Sequence, residues 1–171
     1  VKKYHWVGNP LRESVLRIAP PVQRFQSRDD NIRVLVLGGS LGAQALNEVV
    51  PAALSRLSLE KMPKVLHQTG ANKLLETQQQ YQSKNVEADC VEFIDDMDAA
   101  YGWADLIICR AGALTISEIA SVGLAAVLVP YPHAVDDHQT ENAKLLVDAE
   151  AAVLLPQQRL TADRLHGELV K

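Results

Sequence analysis

Cysteine is scarce in this 171-residue chain, and that scarcity excludes whole classes of protein. Cys90 and Cys109 are the only two, and they show no CxxC or Cys/His spacing. A disulfide scaffold or a zinc ribbon is therefore excluded, and both residues are expected to be small buried hydrophobes. Cations are also short: 17 Lys and Arg stand against 21 Asp and Glu, a net charge of -4. Nucleic acid is not an expected partner, because phosphate backbones demand clustered Lys and Arg. No apolar run approaches the ~20 residues that span a bilayer, and no secretory signal pattern opens the chain.

What is present is ordinary for a globular domain. The chain is 47% hydrophobic and 22% charged, and its length suits one domain burying roughly two-thirds of its unfolded surface. Its first residue is Val1, and Tyr4-His5-Trp6-Val7-Gly8-Asn9-Pro10 reads as a segment arriving from upstream, which predicts an excised domain.

Apolar runs alternate with amphipathic stretches from about residue 32 onward. The predicted strands are Ile32–Leu37, Lys64–Gln68, Val91–Ile94, Asp105–Cys109, Ala125–Val129 and Ala151–Leu155. Helical patterns run from the glycines after Leu37 to about Leu57, then over 72–83, 114–122, 138–149 and 161–170. This alternation marks parallel βαβ units, whose strands are covered on both faces and so read as unbroken apolar runs. The expected fold is α/β, an open doubly wound parallel sheet of Rossmann type. A closed (β/α)8 barrel would need more units than the chain holds. Ligands of such sheets bind beyond the carboxyl ends of the strands, which directs attention to the loops at 38–43, 94–97, 110–116 and 130–138.

Gly38-Gly39-Ser40-Leu41-Gly42-Ala43 can let backbone approach a phosphate, with Ser40 offering a hydroxyl. It is not a P-loop, since no Gly-Lys-Ser/Thr follows, and Ser40 spoils G-x-G-x-x-G. A dinucleotide site also wants a carboxylate after the second strand, where Gln68-Thr69 stand instead. The competing reading is a tight turn with Ser40 as helix N-cap. In Cys109-Arg110-Ala111-Gly112-Ala113-Leu114-Thr115-Ile116-Ser117-Glu118, Thr115 and Glu118 have capping-box spacing. Equally, the helix N-terminus suits a diphosphate, and Glu118 suits the two hydroxyls of a ribose. Spacing alone leaves those two readings of Glu118 level.

In Pro130 to Ala143, the prolines hold the loop extended and Asp136 or Asp137 can cap the next helix. Gln139, in its first turn, offers both a donor and an acceptor to sugar hydroxyls. Asp136, Asp137 and His138 diverge in direction at a helix start, so no metal site is expected. His5, His67 and His166 show no acid or nucleophile partner, and Trp103 is expected to pack a helix end.

Five stretches together resemble the MurG family of glycosyltransferases. They are Gly8 to Arg12, Gly38 to Ala43, Phe93 to Met97, Cys109 to Glu118 and Asp136 to Ala143. Their order spans nearly the whole chain, which makes the resemblance specific. It implies the C-terminal, donor-binding half of a GT-B enzyme, with 1–25 as an entry segment and 26–171 as the UDP-GlcNAc domain. The N-terminal acceptor domain and a last helix beyond Lys171 would be absent.

The implied reaction is inverting and metal-independent, without a cofactor. GlcNAc would pass from UDP-GlcNAc to the lipid-linked muramoyl-pentapeptide precursor of peptidoglycan. The missing half would supply the acceptor site, the catalytic base and contact with the cytoplasmic face of the bacterial inner membrane. Arg12 would lie near the bound UDP, with Ser40 on the diphosphate beside Gly38, Gly39 and Gly42. Ile94 would pair with the uracil edge through its backbone. Ala113, Leu114, Thr115, Ile116 and Ser117 would place N–H groups on phosphate and sugar oxygens. Glu118 would hold the ribose and Gln139 the GlcNAc hydroxyls, and the resemblance favours that ribose role for Glu118. Gln44 departs from the pattern, since some relatives carry Arg there. Two other readings are a donor-binding subunit of a two-chain GlcNAc transferase and a non-catalytic UDP-binding module.

Overall fold

The structure is a computed structural model that describes residues 8–26, 28, 31–132 and 137–171. Six parallel strands form one sheet in the order β3-β2-β1-β4-β5-β6. They are β1 Arg33–Leu37, β2 Lys64–Gln68, β3 Asp89–Val91, β4 Leu106–Cys109, β5 Ala125–Leu128 and β6 Ala152–Leu154. This is the doubly wound arrangement, with the order reversing between β1 and β4. Among the described residues eight α-helices accompany it: α1 Glu13–Leu16, α2 Pro21–Phe25, α3 Gln44–Leu54, α4 Leu74–Gln82, α5 Met97–Trp103, α6 Ala113–Val122, α7 His138–Val147 and α8 Ala162–Leu169.

The period of two along the strands divides the core. Leu35, Leu37, Ile107, Cys109 and Leu128 point to one face, against Val15 of α1, Tyr101 of α5, Ile116 and Ile119 of α6, and Leu146 of α7. Val34, Val36, Ile108 and Val127 point to the other, against Leu46 and Val50 of α3, Tyr81 of α4 and Leu165 of α8. Each fully buried aliphatic side chain contributes about 1.5–3 kcal/mol, so both faces stabilise the sheet strongly. Cys109 is buried and Cys90 half-buried, both unbonded, as their isolation predicts.

The described part of the entry segment lies against this body. Val15 is buried in the first core, and Arg24 donates to the Val122 carbonyl at 2.9 Å. Gly123 ends α6 at φ +69, and a Cβ there would meet Pro21 Cγ at 2.9 Å. The turn after α6 and the start of α2 are therefore fitted to each other.

Two elements depart from expectation. The third strand runs Asp89–Val91, three residues, and not Val91–Ile94. Its partner β2 ends at Gln68, and Thr69 and Gly70 bond the Val91 and Glu92 carbonyls as the chain turns away at Gly70, φ +85. Ile94 thus leaves the sheet for a loop. The helix Met97–Trp103 is an addition, capped by Asp96, whose carboxylate accepts the Ala99 N–H at 2.9 Å. Trp103 packs at its end against the core, as expected.

Candidate functional site

At the switch point the carboxyl ends of β1 and β4 part, and a cavity of about 770 Å³ opens there. Its walls include Gly38, Gly39 and Gly42 after β1, Gln68 after β2, Thr115 and Glu118 of α6, and Gln139 of α7. A slightly larger depression of about 840 Å³ lies elsewhere, between the start of β2 and the end of α4. It sits at the wrong end of the strands, beside a helix C-terminus whose partial charge repels anions. The switch-point cavity is the one at the end of the sheet where ligands of such folds bind.

The glycine turn is shaped by crowding. Gly42 N–H bonds the Gly39 carbonyl at 2.9 Å, closing the turn. A Cβ on Gly42 would stand 2.0 Å from the Thr69 carbonyl oxygen, so this loop and the one after β2 cross at backbone contact. At Gly39, by contrast, a Cβ would meet nothing within 4 Å. Open space above a glycine at φ +84 is where a ligand can approach the backbone. Ser40 is exposed on this turn and does not cap the helix, because α3 starts at Gln44 with Ala43 as its N-cap. That capping reading is corrected.

The capping-box reading of Thr115 and Glu118 is corrected as well. Gly112, in extended conformation, is the N-cap of α6, so Thr115 lies inside the first turn and Glu118 a turn further on. Glu118 is tied down differently. Its Oε2 accepts the Tyr101 hydroxyl at 2.8 Å, and its Oε1 accepts Arg12 at 3.1 Å. Arg12 also lies 3.8 Å from Asp98, so its charge is paired with carboxylates beside the cavity. Burial, followed by the bond to Glu118, pushes the Tyr101 hydroxyl well above its ordinary range and fixes it as a donor.

The first-turn N–H groups of α6 have no acceptor within the helix, which gives that end its affinity for anions. Ile116 is not among them: its N–H bonds Gly112 and its side chain is buried, which narrows the set to Ala113, Leu114 and Thr115. The Ser117 hydroxyl donates to the Ala113 carbonyl and accepts from Asn9 at 2.9 Å. Phe93 of the loop after β3 lines the cavity, while its neighbour Ile94 is buried, its N–H bonded to Gln68 Oε1 at 3.0 Å. Gln139 lines the cavity, and its Oε1 accepts the Tyr131 N–H at 2.9 Å and the Ala111 N–H at 3.3 Å, so two donors fix the amide. Asp137 is the N-cap of α7, accepting from Thr140, while Asp136 lies outside the described residues, as does His5.

Several site residues carried no recognisable signal. Lys73 and Arg110 are the cations of the cavity wall. Lys73 bonds the Leu41 carbonyl of the glycine turn. Arg110 donates to the Val129 and Pro130 carbonyls and to Gln157 at 2.6 Å, and burial lowers its pKa. Gln68 braces two loops, and Tyr101 reaches Glu118 from another helix; neither spacing is local. His67, read as having no acid or nucleophile partner, is bonded on both sides by neutral groups: Nδ1 to the Tyr81 hydroxyl at 2.9 Å and Nε2 to Asn47 at 3.0 Å. Its burial depresses its pKa to about 3. Gln44 donates to Glu48 and Glu76, two carboxylates that an arginine there would also face.

Known proteins agree with this geometry. The family model "Glycosyltransferase family 28 C-terminal domain" matches residues 33–171. A relative from Dechloromonas aromatica is 53% identical over 96% of this chain and 47% of its own length. One from Neisseria gonorrhoeae is 56% identical over 93% of the chain and 45% of its own length. Both are named UDP-N-acetylglucosamine--N-acetylmuramyl-(pentapeptide) pyrophosphoryl-undecaprenol N-acetylglucosamine transferase. The crystal structure of Acinetobacter baumannii MurG superposes with a TM-score of 0.85 at 44% identity, over 91% of this chain and 45% of that one. The chain thus spans about half the length of the curated relatives it matches. From its sheet, its switch-point site and these matches, the chain belongs to the glycosyltransferase family 28 C-terminal domain family.

Proposed function

We propose that the chain binds UDP-GlcNAc as the donor half of an inverting transferase that moves GlcNAc onto undecaprenyl-pyrophosphoryl-MurNAc-pentapeptide. The observation that carries this reading is the Glu118 carboxylate, held by Tyr101 and Arg12 in the cavity wall. An ionised carboxylate has about four lone-pair sites, so two remain for the vicinal hydroxyls of a ribose.

With the ribose on Glu118, the diphosphate reaches the glycine turn and the first-turn N–H groups of α6. Ser40 lies within that turn, Lys73 and Arg110 add positive charge from the wall, and Arg12 stands behind the ribose. The uracil edge meets the backbone of Ile94, whose N–H stays shared with Gln68. The Gln139 NH2 donates to a GlcNAc hydroxyl. The acceptor hydroxyl then gives its proton to a base on the rest of the parent and attacks the anomeric carbon, the bond to the UDP oxygen breaks, and UDP leaves with the electron pair. Aligned N–H groups and the two cations stabilise that charge, so the proposal needs no metal ion and no cofactor.

In this reading the acceptor, the catalytic base and contact with the cytoplasmic face of the inner membrane belong to the rest of a longer parent. Relatives about twice this chain's length, each a single protein, support that division over a two-chain enzyme or a non-catalytic module. Among the described residues no helix is long and apolar enough to cross a membrane.

Calorimetry tests the donor assignment. UDP and UDP-GlcNAc should bind at least ~10-fold more tightly than ADP, about 1.4 kcal/mol, with or without a chelator. Equal affinity for ADP and UDP would refute the uracil role of Ile94. Turnover of a lipid-linked acceptor by this chain alone would refute the half-enzyme reading.

A further inference from the structure

Tyr101 belongs to α5, whose N-cap, Asp96, lies two residues after Ile94. Its ring is 1% exposed, packed in the core between α5 and α6. Its hydroxyl leaves that core at one point, to donate to Glu118 Oε2 at 2.8 Å. The other partner of Glu118 is less constrained: the Arg12 side chain is 49% exposed and divides itself between Glu118 and Asp98. The Glu118 side chain is 15% exposed, so one of its oxygens is anchored to the core and the other to a solvated arginine.

We propose that Tyr101 is a positioning residue for nucleotide recognition, orienting the Glu118 carboxylate toward the ribose hydroxyls and linking it to the loop that meets the base. The proposal rests on the ribose role of Glu118. A carboxylate on a two-carbon stem rotates about its last torsion over a broad range. A vicinal diol needs both oxygens in one orientation, and a donor fixed in the core selects that orientation before ligand arrives. Because Tyr101 lies on α5 and Ile94 two residues before its N-cap, α5 sets the spacing between the base contact and the ribose contact. Among the described residues, no other side-chain hydrogen bond joins α5 to α6.

The test compares UDP with 2′-deoxy-UDP, which lacks one hydroxyl of the diol, on the 171-residue chain and on its Tyr101→Phe variant. Phenylalanine keeps the buried ring, and a thermal melt checks that the fold is retained. The unaltered chain should prefer UDP by roughly tenfold, and Tyr101→Phe should reduce that preference to below about threefold, with 2′-deoxy-UDP affinity little changed. If the unaltered chain does not distinguish the two nucleotides, or binds neither, the ribose role of Glu118 is wrong and the proposal falls with it. If it does distinguish them and Tyr101→Phe distinguishes them equally well, the ribose role stands and Tyr101 is merely structural. Equal weakening of both nucleotides by Tyr101→Phe also overturns the positioning role.

Discussion

Gln68 Oε1 accepts the backbone N–H of Ile94 at 3.0 Å, while the same amide donates to the Gly39 carbonyl at 3.1 Å. One side chain at the end of β2 therefore holds two neighbouring loops, the glycine turn after β1 and the loop after β3. In a dinucleotide fold a carboxylate at this place would take a ribose. A neutral amide with one donor and one acceptor serves as a brace instead, and the proposed ribose contact is Glu118, on the other side of the switch point.

Gln68→Ala should remove both bonds and leave the buried Ile94 N–H unsatisfied, a cost of about 1–3 kcal/mol. Differential scanning calorimetry should register a drop of several degrees in Tm. UDP affinity should fall as well, since the base loop loses its tether. An unchanged melt would show that the brace has no energetic role.

Glu118→Gln should separate binding from folding. The side chain caps no helix, and glutamine keeps an oxygen for the Tyr101 hydroxyl, so the melt should move by less than about 3 °C, roughly 1 kcal/mol in a domain this long. UDP affinity should fall roughly tenfold or more, because an amide offers one acceptor oxygen where a carboxylate offers two. A large loss of stability with intact UDP binding would make Glu118 structural.

His67 supplies a pH signature of the fold. Its pKa lies at about 3 in the native state, because burial disfavours the charged ring, against an ordinary 6.5. Protons therefore bind the unfolded chain preferentially below pH 6.5. Stability from this group is complete above that pH and declines as pH falls from 6.5 toward 3, by about 1.4 kcal/mol per unit. Urea titrations from pH 6.5 to 5 should show the decline, and His67→Gln should flatten it. A wild-type slope equal to the variant's over that window would contradict the assignment.

Two glycines of one turn should behave differently. Gly42→Ala forces a Cβ onto the Thr69 carbonyl, so the loops must separate and stability should drop by more than about 3 kcal/mol. Gly39→Ala has room for its methyl and bears only positive-φ strain, roughly 1–2 kcal/mol. Its methyl would nevertheless stand where a phosphate approaches, so UDP binding should suffer more than the melt. Matched losses in both variants would remove the distinction between crowded and open glycine.

Much of this protein was written in local pattern. Apolar runs such as Arg33–Leu37 and Leu106–Cys109 are covered on both faces, so their composition alone identifies buried parallel strands. Glycine turns at strand ends likewise pointed to the loops where the cavity lies. The Asp89–Val91 strand escaped because its limit is set by where β2 stops offering partners, not by hydrophobicity.

The sequence by itself determined the sheet, its handed alternation with helices, and the end of it at which a ligand would sit. Those follow from periodicity and chain stiffness, which act over a few residues. Only the tertiary structure decided what the side chains do there. Gly112, not Thr115, is the N-cap of α6, which released Glu118 from capping. Tyr101 reaches Glu118 across 17 residues, Arg12 across 106, and Gln68 reaches Ile94 across 26. Such hydrogen bonds depend on how separate elements pack around a shared core, and no spacing along the chain encodes them.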